Sequence, residues 1–343
     1  MQPLMTDAVF HPTDPITDVP CLLATARGRI DAATRALPAL GADAVRVRTE
    51  VTMVSPGTEL HWIDETHTRP TTYPMSTGYI AVGSIIGVGA RVTDRTIGQR
   101  VLLLQGHAAC HDEAACAAKP VPDGVAAVDA ASAILLGISI RGIRAGQVRL
   151  GESVAVFGLG PIGLFAAHLA KISGAHPVIG VDPVAKRRAV ARELGVDIVI
   201  DPATEDVAAT VARVTGGERA RIVIEATGTA QVIASLPEMT AAFGRVVVLG
   251  GVHGAVPLDL YTRFQKSNLT LVGCGSTGPA DFPFTEERNQ AALLKMIASG
   301  MVRPRPALTH LVPWREAPAM YRLLRERKEE AIVVAFDWTA INA

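Results

Sequence analysis

Apolar runs recur at a nearly constant interval between about residues 150 and 275. They start 24, 20, 24, 24 and 24 residues apart, near Ser153, Pro177, Asp197, Arg221, Arg245 and Leu269. This spacing is typical of parallel strands, because each crossover connection between them usually contains a helix. The runs, among them VAVF and VVVLG, are almost continuously apolar, as expected of strands that helices cover on both faces. The pattern predicts an α/β fold with a doubly wound parallel sheet of six strands.

Two connecting segments carry helical signals. In the first, one apolar stripe has the spacing i, i+3, i+4 and i+7, at Ile162, Phe165, Ala166 and Leu169. In the second, Gly195 ends a predicted helix from Ala185 to Leu194. Residues 153–170 are uncharged and long enough to raise the question of a membrane span, but three glycines and a proline interrupt them. We therefore interpret them as a strand, a turn and a helix, and expect no contact with a membrane.

The flanking segments have a different pattern. Residues 1–135 are rich in Gly, Pro and β-branched residues, with only short helical signals, and a strand-like VRVRTEVTMV runs into a predicted turn at SPGT. Residues 285–343 predict one helix from about Glu287 to Ser299, a second from about Arg315 to Arg327, and a final strand, AIVVAFDW. We expect these flanks to form a domain of their own.

Composition and charge narrow the function classes. The chain has 343 residues, of which 49% are hydrophobic, enough for two domains with well-buried cores. Its 33 Lys and Arg balance 33 Asp and Glu, so no net field attracts a polyanion and a nucleic-acid partner is not expected. Four scattered cysteines do not make a disulfide framework, and the N-terminus lacks the pattern of a secretory signal. These features favour a cytoplasmic protein with reduced thiols.

The sequence GLGPIG follows the first predicted strand directly and opens the first helix, which is the context that a dinucleotide-binding GxGxxG needs. Gly158 permits a tight turn, Gly160 leaves room for a pyrophosphate, and Gly163 lets helix and strand approach closely. Pro161 and Ile162 begin the helix, whose unpaired N–H groups would face the anion. The alternative is a glycine loop that serves close packing alone.

Asp182 stands 19 residues after Gly163, at the end of the second predicted strand. A carboxylate there can accept both ribose hydroxyls of an adenosine, and its charge repels a 2′-phosphate, so NAD is the predicted cofactor. Arg187, with its neighbours Lys186 and Arg188, could pair with a 2′-phosphate if Asp182 turned away. NADP is therefore the less favoured alternative.

Five segments resemble the alcohol dehydrogenase-like medium-chain dehydrogenase/reductase superfamily, over nearly the whole chain. They are GYIAVGSIIGVGARVTDRTIGQRV (78–101), KPVPDGV (119–125), GESVAVFGLGPIG (151–163), VIEATG (223–228) and GRVVVLGG (244–251). The resemblance implies a GroES-like irregular β domain, which is the catalytic domain, in residues 1–137 and 277–343. It implies a Rossmann NAD-binding domain in residues 138–276, and a homodimer formed through the edge of the sixth strand. It also implies further cofactor contacts, with Thr227 near the adenosine and the nicotinamide held by Gly250, Gly251, Val252, Gly275 and Ser276.

Many members of this superfamily hold a catalytic zinc ion, and three ligand positions can be compared. Here these positions read Ser55, Tyr79-Ile80 and Ile138, none of them usual zinc ligands. SPGTEL followed by the dipeptide GY resembles the zinc-free branch that includes bacteriochlorophyllide hydroxyethyl dehydrogenases. An acidic residue follows the tyrosine in that branch, whereas Ile80 follows it here. We therefore expect no zinc ion.

The four-cysteine structural lobe of the superfamily is missing too. The corresponding stretch contains His107, Cys110, His111 and Cys116. These residue types make a zinc site conceivable, but no regular ligand spacing appears. We interpret them as structural.

Without a metal, another group must take the hydroxyl proton as the hydride leaves. The candidates are Tyr79, Glu59, His61, Ser55 and Thr58. Tyr79 is the first choice, because a phenol can donate to a carbonyl and, with its pKa lowered by the positive ring of NAD, accept a proton. The alternative is a packed tyrosine with a backbone partner. Glu59 and His61 could form a relay to solvent through Thr58. Alternatively, Glu59 pins the turn after SPG and His61 packs at the surface.

These observations predict an NAD-dependent, zinc-independent dehydrogenase that transfers a hydride between a secondary alcohol or ketone and the nicotinamide, a biosynthetic role being one option. One alternative is a zinc-free enoyl or quinone-type reductase using NAD(P)H, against which Asp182 counts because such reductases usually favour NADPH. Another is a nucleotide-binding protein without turnover. The substrate is expected to be a small molecule.

Overall fold

The structure, a computed structural model, describes residues 13–66, 71–252, 254–275 and 285–340. In chain order its strands are β1 (Ile16–Ala26), β2 (Arg29–Leu37), β3 (Ala44–Met53), β4 (Met75–Ser76), β5 (Ala81–Val88), β6 (Arg100–Leu103), β7 (Cys110–Ala114), β8 (Lys119–Pro120), β9 (Val154–Phe157), β10 (Val178–Val181), β11 (Ile198–Ile200), β12 (Ala220–Glu225), β13 (Thr240–Val248), β14 (Thr270–Gly273), β15 (Leu308–Pro313) and β16 (Val333–Asp337). Its α-helices are α1 (Pro56–Ile63), α2 (Ala127–Gly146), α3 (Pro161–Ile172), α4 (Ala185–Glu193), α5 (Val207–Val214), α6 (Ala230–Met239), α7 (Glu286–Ala298) and α8 (Ala317–Glu326). A π-helix spans Leu260–Gln265, and 3-10 helices span Arg305–Ala307 and Trp314–Glu316.

The chain divides into two compact units. The first unit comprises residues 1–132 and 308–343, and the second comprises residues 133–307. The domain boundaries expected after residues 137 and 276 stay predictions, and the second of them falls outside the described residues.

The first unit contains two sheets. Strands β2, β1 and β4 form the smaller one, and the larger has the order β15-β16-β3-β5-β6-β8, with β7 also pairing with β3. β3 is central, because it pairs antiparallel with β16, β5 and β7. Near its C-terminal end, Thr52 Oγ1 accepts a 2.9 Å hydrogen bond from the indole of Trp338, and this indole stacks on Trp314 with ring centroids 4.8 Å apart. The last strand of the chain is thereby fixed to the centre of the sheet.

The second unit is built on the predicted six-stranded sheet, with the order β11-β10-β9-β12-β13-β14. All its pairings are parallel. Phe157, the last residue of β9, pairs with both Val181 and Glu225, so the three central strands end at one level. The chain order reverses between β9 and β12, and such a switch point is where open α/β sheets bind ligands.

The spacing of apolar runs predicted five of the six strand starts to within one residue. The exception is β13, which begins at Thr240 rather than near Arg245, because Thr240 pairs with Ala220 ahead of a register shift. The predicted helix after the second strand is α4, and Gly195 follows it with a φ of 92°.

Two helices differ from the sequence prediction. The predicted turn at SPGT is the first turn of α1, with Ser55 at the N-cap and Pro56 at the first helical position, where proline is favoured. α2 was not predicted, because Gly137 and Gly142 in its interior weaken the helical signal. Residues 153–170 form β9 and α3, and none of the helices that the structure describes is long and apolar enough to cross a membrane.

Candidate active site

The glycine loop lies between β9 and α3, at the switch point of the sheet. Gly158 has a φ of 87°, and a Cβ atom there would lie 2.8 Å from Thr227 Cγ2. A Cβ atom on Gly163 would lie 1.7 Å from the Gly158 carbonyl oxygen, so only glycine fits. A Cβ atom on Gly160 would meet no described atom within 4 Å. Packing therefore explains two of these glycines but not Gly160.

The N-terminus of α3 begins beside this open space. Gly160 is the N-cap residue, and no side chain of the described chain caps the helix there. Pro161 occupies the first helical position and has no N–H group. The first N–H groups of the helix are therefore those of Ile162 and Gly163. This arrangement suits an anion, since the helix dipole and free N–H groups both favour negative charge.

Asp182 follows β10 and is only 2% exposed. Its Oδ2 accepts a 2.7 Å hydrogen bond from Leu159 N in the glycine loop, and its Oδ1 accepts a 2.8 Å bond from Val184 N before α4. Arg187 Nη1 lies 3.4 Å from Oδ2. Arg188 donates to the Asp182 carbonyl oxygen and pairs with Asp201 at 2.7 Å. The carboxylate thus does not turn away from the loop, and an ionised carboxylate has lone pairs left for ribose hydroxyls.

Glu225, at the end of β12, was not predicted as a site residue. It is fully buried, and its Oε1 accepts hydrogen bonds from Thr227 N at 2.5 Å, Thr227 Oγ1 at 2.6 Å and Gly228 N at 2.7 Å. A Cβ atom on Gly250 would lie 2.8 Å from Glu225 Oε2. Glu225 therefore fixes the turn that packs on Gly158 and requires glycine at position 250. The acidic residue ending the apolar run in VIEATG was the available signal.

The residues expected at the nicotinamide follow the next two strands. Gly250, Gly251 and Val252 begin two residues after the end of β13, and Gly275 comes two residues after β14. The pairing of Gly273 with Val248 puts these two strand ends at one level. Ser276 lies outside the described residues.

In the first unit, three of the predicted catalytic residues lie at the start of α1. Ser55 Oγ is 3.5 Å from Thr58 Oγ1, and Glu59 Oε1 accepts a 2.7 Å hydrogen bond from Ser55 N. Glu59 is fully buried, and its Oε2 accepts a hydrogen bond from the hydroxyl of Tyr321 and lies 3.2 Å from Nε2 of His107. These contacts match the interpretation in which Glu59 pins the segment after SPG, rather than a relay to solvent.

His61 and Tyr79 complete the predicted set. His61, in the last turn of α1, contacts Thr66 Oγ1 through Nδ1. The half-buried ring of Tyr79 packs on Trp62 of α1, with centroids 6.0 Å apart and planes tilted by 57°. The structure therefore brings Tyr79 to α1 but joins His61 to its own local loop.

The residues that replace the zinc ligands do not fit a zinc ion. Ser55, Tyr79 and Ile138 lack imidazole, thiolate and carboxylate groups, and Ile80 is fully buried. Within residues 13–66, 71–252, 254–275 and 285–340, no group of three His, Cys, Asp or Glu side chains could hold a metal ion.

The contacts in residues 107–116 also favour a structural role over a metal site. His111 Nδ1 lies 2.7 Å from the Arg35 guanidinium, a cation that would repel a metal ion. Burial, followed by the charge of Arg35, lowers the pKa of His111 to about 3, so its ring is neutral. Burial likewise raises the pKa of the Cys110 thiol to about 11.

This chain is similar to known dehydrogenases. A family described as zinc-binding dehydrogenase matches residues 161–289. The chain is 27% identical over 321 residues to the L-threonine 3-dehydrogenase of Caldanaerobacter subterraneus subsp. tengcongensis, covering 83% of this chain and 89% of that one. It is 28% identical over 279 residues to the L-galactonate-5-dehydrogenase of Escherichia coli, covering 73% and 79%. The predicted resemblance to the alcohol dehydrogenase-like medium-chain dehydrogenase/reductase superfamily is confirmed.

The solved alcohol dehydrogenase TADH from Thermus sp. ATN1 is similar to this chain, with a TM-score of 0.79 and 25% identity. The match covers 93% of this chain and 99% of that one. The predicted combination of a GroES-like β domain and a Rossmann sheet is confirmed. The prediction of an oxidoreductase that acts on CH–OH groups with a nicotinamide dinucleotide is confirmed at that level.

Proposed function

We propose that this protein is an NAD-dependent, zinc-independent dehydrogenase of a secondary alcohol. The observation that carries the proposal is the open space at Gly160, bounded by the uncapped N-terminus of α3 and by a loop that Asp182 fixes. A dinucleotide fits these residues. Its pyrophosphate would lie against the N–H groups of Ile162 and Gly163, and a ribose would lie at Asp182.

The preference for NAD rests on Asp182. Two backbone N–H groups hold its carboxylate at the end of β10, so a 2′-phosphate would meet a negative charge that cannot move aside. Arg188 is engaged with Asp201, which neutralises one of the two arginines that could otherwise bind a phosphate. Repulsion between the Asp182 carboxylate and a 2′-phosphate therefore disfavours NADP.

Zinc independence is supported by the residue types at the three ligand positions. A serine, a tyrosine with a buried isoleucine, and an isoleucine in α2 offer no thiolate, imidazole or carboxylate. Proton transfer then falls to the chain's own side chains.

Tyr79 is the proposed general acid and base. The bound dinucleotide would supply the hydride acceptor, and the phenolate form of Tyr79 would take the proton of the substrate hydroxyl during oxidation and become the phenol. In the reverse direction, the same O–H group would donate to the ketone oxygen. Packing of the ring on Trp62 restricts where the phenol oxygen can lie, which is what a positioned acid or base requires.

The test is an assay of the purified protein with NAD⁺ and NADP⁺ against a panel of secondary alcohols, polyols and sugar acids, followed by the absorbance of the reduced nicotinamide. We expect turnover that survives dialysis against a chelator, with kcat/KM for NAD⁺ roughly tenfold or more above that for NADP⁺. Loss of turnover on chelation, restored by zinc, would contradict zinc independence. Consumption of NADPH with enones or quinones alone would favour a reductase. Dinucleotide binding without any turnover would favour a protein that is not an enzyme.

We also propose that the protein is a homodimer joined through β14. In the described residues β14 pairs with β13 alone, and Leu271 in its middle is 43% exposed, so this edge can accept another strand. Sedimentation velocity should give twice the mass of one chain, and Leu271→Lys should shift the protein towards monomer. A wild-type protein that sediments as a monomer at all concentrations would refute the proposal.

A further inference from the structure

Three polar atoms from distant parts of the chain meet in the interior of the first unit. The Tyr321 hydroxyl donates to Glu59 Oε2, and Nε2 of His107 lies 3.2 Å from that oxygen and 3.0 Å from the hydroxyl. Glu59 and Tyr321 are fully buried, and His107 is 2% exposed. A polar cluster removed from water to this degree is costly unless its groups satisfy one another.

Hydrogen-bond donors surround Glu59, which identifies it as a buried carboxylate at the centre of this cluster. Glu59 Oε1 receives Ser55 N–H at 2.7 Å, while Oε2 receives the phenol of Tyr321 and faces Nε2 of His107. Nδ1 of His107 is buried with no hydrogen-bond partner among the described residues. A proton on Nε2 avoids a buried, unpaired N–H group, so His107 serves as the third donor. Burial and the charge of Glu59 raise the pKa of Tyr321, which keeps its donor proton in place.

His107 also fixes the backbone that precedes Tyr79. Its ring lies directly against Gly78, where a Cβ atom would come within 2.5 Å of Nε2. Its backbone N–H donates to the carbonyl oxygen of Thr77 at 2.8 Å. Gly78 has a φ of 75°, so only glycine easily adopts this backbone while leaving room for the ring.

Glu59 fixes helix α1, the other element that packs beside Tyr79. Its bond to Ser55 N–H holds the start of α1, and Trp62 of α1 packs on the ring of Tyr79. The network therefore reaches Tyr79 by two routes, one through Gly78 and one through α1. Tyr321 of α8 contacts both Glu59 and His107, and through them it supports both routes.

We propose that Tyr321, Glu59 and His107 are positioning residues that set the place of the Tyr79 phenol, an inference that rests on the proposed function. The three side chains hold one buried negative charge, and this charge ties α1, the Gly78 backbone and α8 into one arrangement. Loss of any donor would let Tyr79 shift, and small displacements of a catalytic group lower the rate of the chemical step.

The test compares Tyr321→Phe with Thr52→Val. Thr52 is also fully buried in the first unit, and its hydroxyl accepts the Trp338 N–H, so both variants remove a buried, hydrogen-bonded hydroxyl. We expect Tyr321→Phe to lower kcat about tenfold, with the Kd for NAD⁺ unchanged. Thr52→Val should lower the Tm while kcat per folded molecule stays at the wild-type value.

Gly78→Ala provides a second route to the same result. It leaves Tyr321 and Glu59 intact but forces the backbone before Tyr79 away from the His107 ring, so kcat should again fall with unchanged NAD⁺ affinity. If Tyr321→Phe does not fold, this variant and Glu59→Gln decide the matter. Values of kcat in these variants that match Thr52→Val would overturn the positioning role.

The inference and the proposed function can fail separately. If Tyr79→Phe loses activity while Tyr321→Phe and Gly78→Ala retain it, the network is merely structural and the role of Tyr79 stands. If Tyr79→Phe keeps wild-type kcat, the assignment of Tyr79 fails and the positioning role fails with it.

Discussion

Replacing Tyr79 by phenylalanine is expected to lower kcat by about 100- to 10,000-fold, the range that a positioned general acid or base contributes. The change removes one oxygen atom and keeps the ring, so the packing on Trp62 is preserved. Because the hydroxyl is not needed to bind a dinucleotide, the Kd for NAD⁺ should stay close to the wild-type value. Steady-state kinetics at saturating alcohol and NAD⁺, with NAD⁺ binding measured by calorimetry, check both statements.

Tyr261→Phe is the matched control, since it makes the same chemical change on an exposed tyrosine of the second unit. Its kcat should equal that of the wild type. A Tyr79→Phe enzyme within about twofold of wild type would instead support a packed tyrosine with no part in proton transfer. The next variants to measure would then be Ser55→Ala and Thr58→Val, because these two hydroxyls lie together at the start of α1.

The second unit could be predicted closely from the sequence because its signals are local. An apolar run such as VAVF becomes a fully buried strand, and the glycines and Asp182 occupy fixed positions relative to those strands. Because β10 and β12 both pair in parallel with β9, the three strands end at the same level. Residues that follow these strands therefore come together without any knowledge of distant contacts.

The first unit was less predictable because its decisive contacts join distant parts of the chain. Arg46 alternates with apolar residues in the strand-like VRVRTEVTMV, a pattern that does not reveal its full burial. That burial depends on the carboxylate of Asp112, whose Oδ1 lies 2.7 Å from Arg46 Nε. Likewise, Glu59 has the spacing of a helix-start residue, and only the fold reveals that Tyr321 of α8 donates to it. Periodicity describes which face of an element is apolar, and it does not identify the partner of a buried polar group.

The glycine loop illustrates how a structure can separate two explanations that a motif leaves open. If close packing were its whole purpose, each glycine should be required by a neighbouring atom. Gly158 and Gly163 meet that condition, because Cβ atoms there would lie 2.8 Å from Thr227 Cγ2 and 1.7 Å from the Gly158 carbonyl oxygen. Gly160 does not, since the described chain leaves its surroundings open to 4 Å. A ligand is the remaining reason for glycine at this position.

Gly160→Val is therefore expected to fold normally and to lose affinity for NAD⁺. The backbone at Gly160 has φ −65° and ψ −176°, which any residue adopts, and the added methyl groups would enter the space proposed for the pyrophosphate. Losing two charge-assisted hydrogen bonds at roughly 1.5 kcal/mol each corresponds to an increase in Kd of about 100-fold. Calorimetric titration with NAD⁺ measures this change, and thermal unfolding without ligand should differ from wild type by no more than about 1 kcal/mol.

Gly41→Val is the control for adding a valine at a glycine of the first unit, where a Cβ atom meets only ordinary contact at 3.8 Å. It should leave both stability and NAD⁺ affinity near the wild-type values. Gly163→Ala should behave in the opposite way from Gly160→Val, with a large loss of stability from the clash with the loop carbonyl. If Gly160→Val binds NAD⁺ as tightly as Gly41→Val, the pyrophosphate does not lie at this helix end. The glycine loop would then serve packing alone, and the proposed dehydrogenase would lose the observation that carries it.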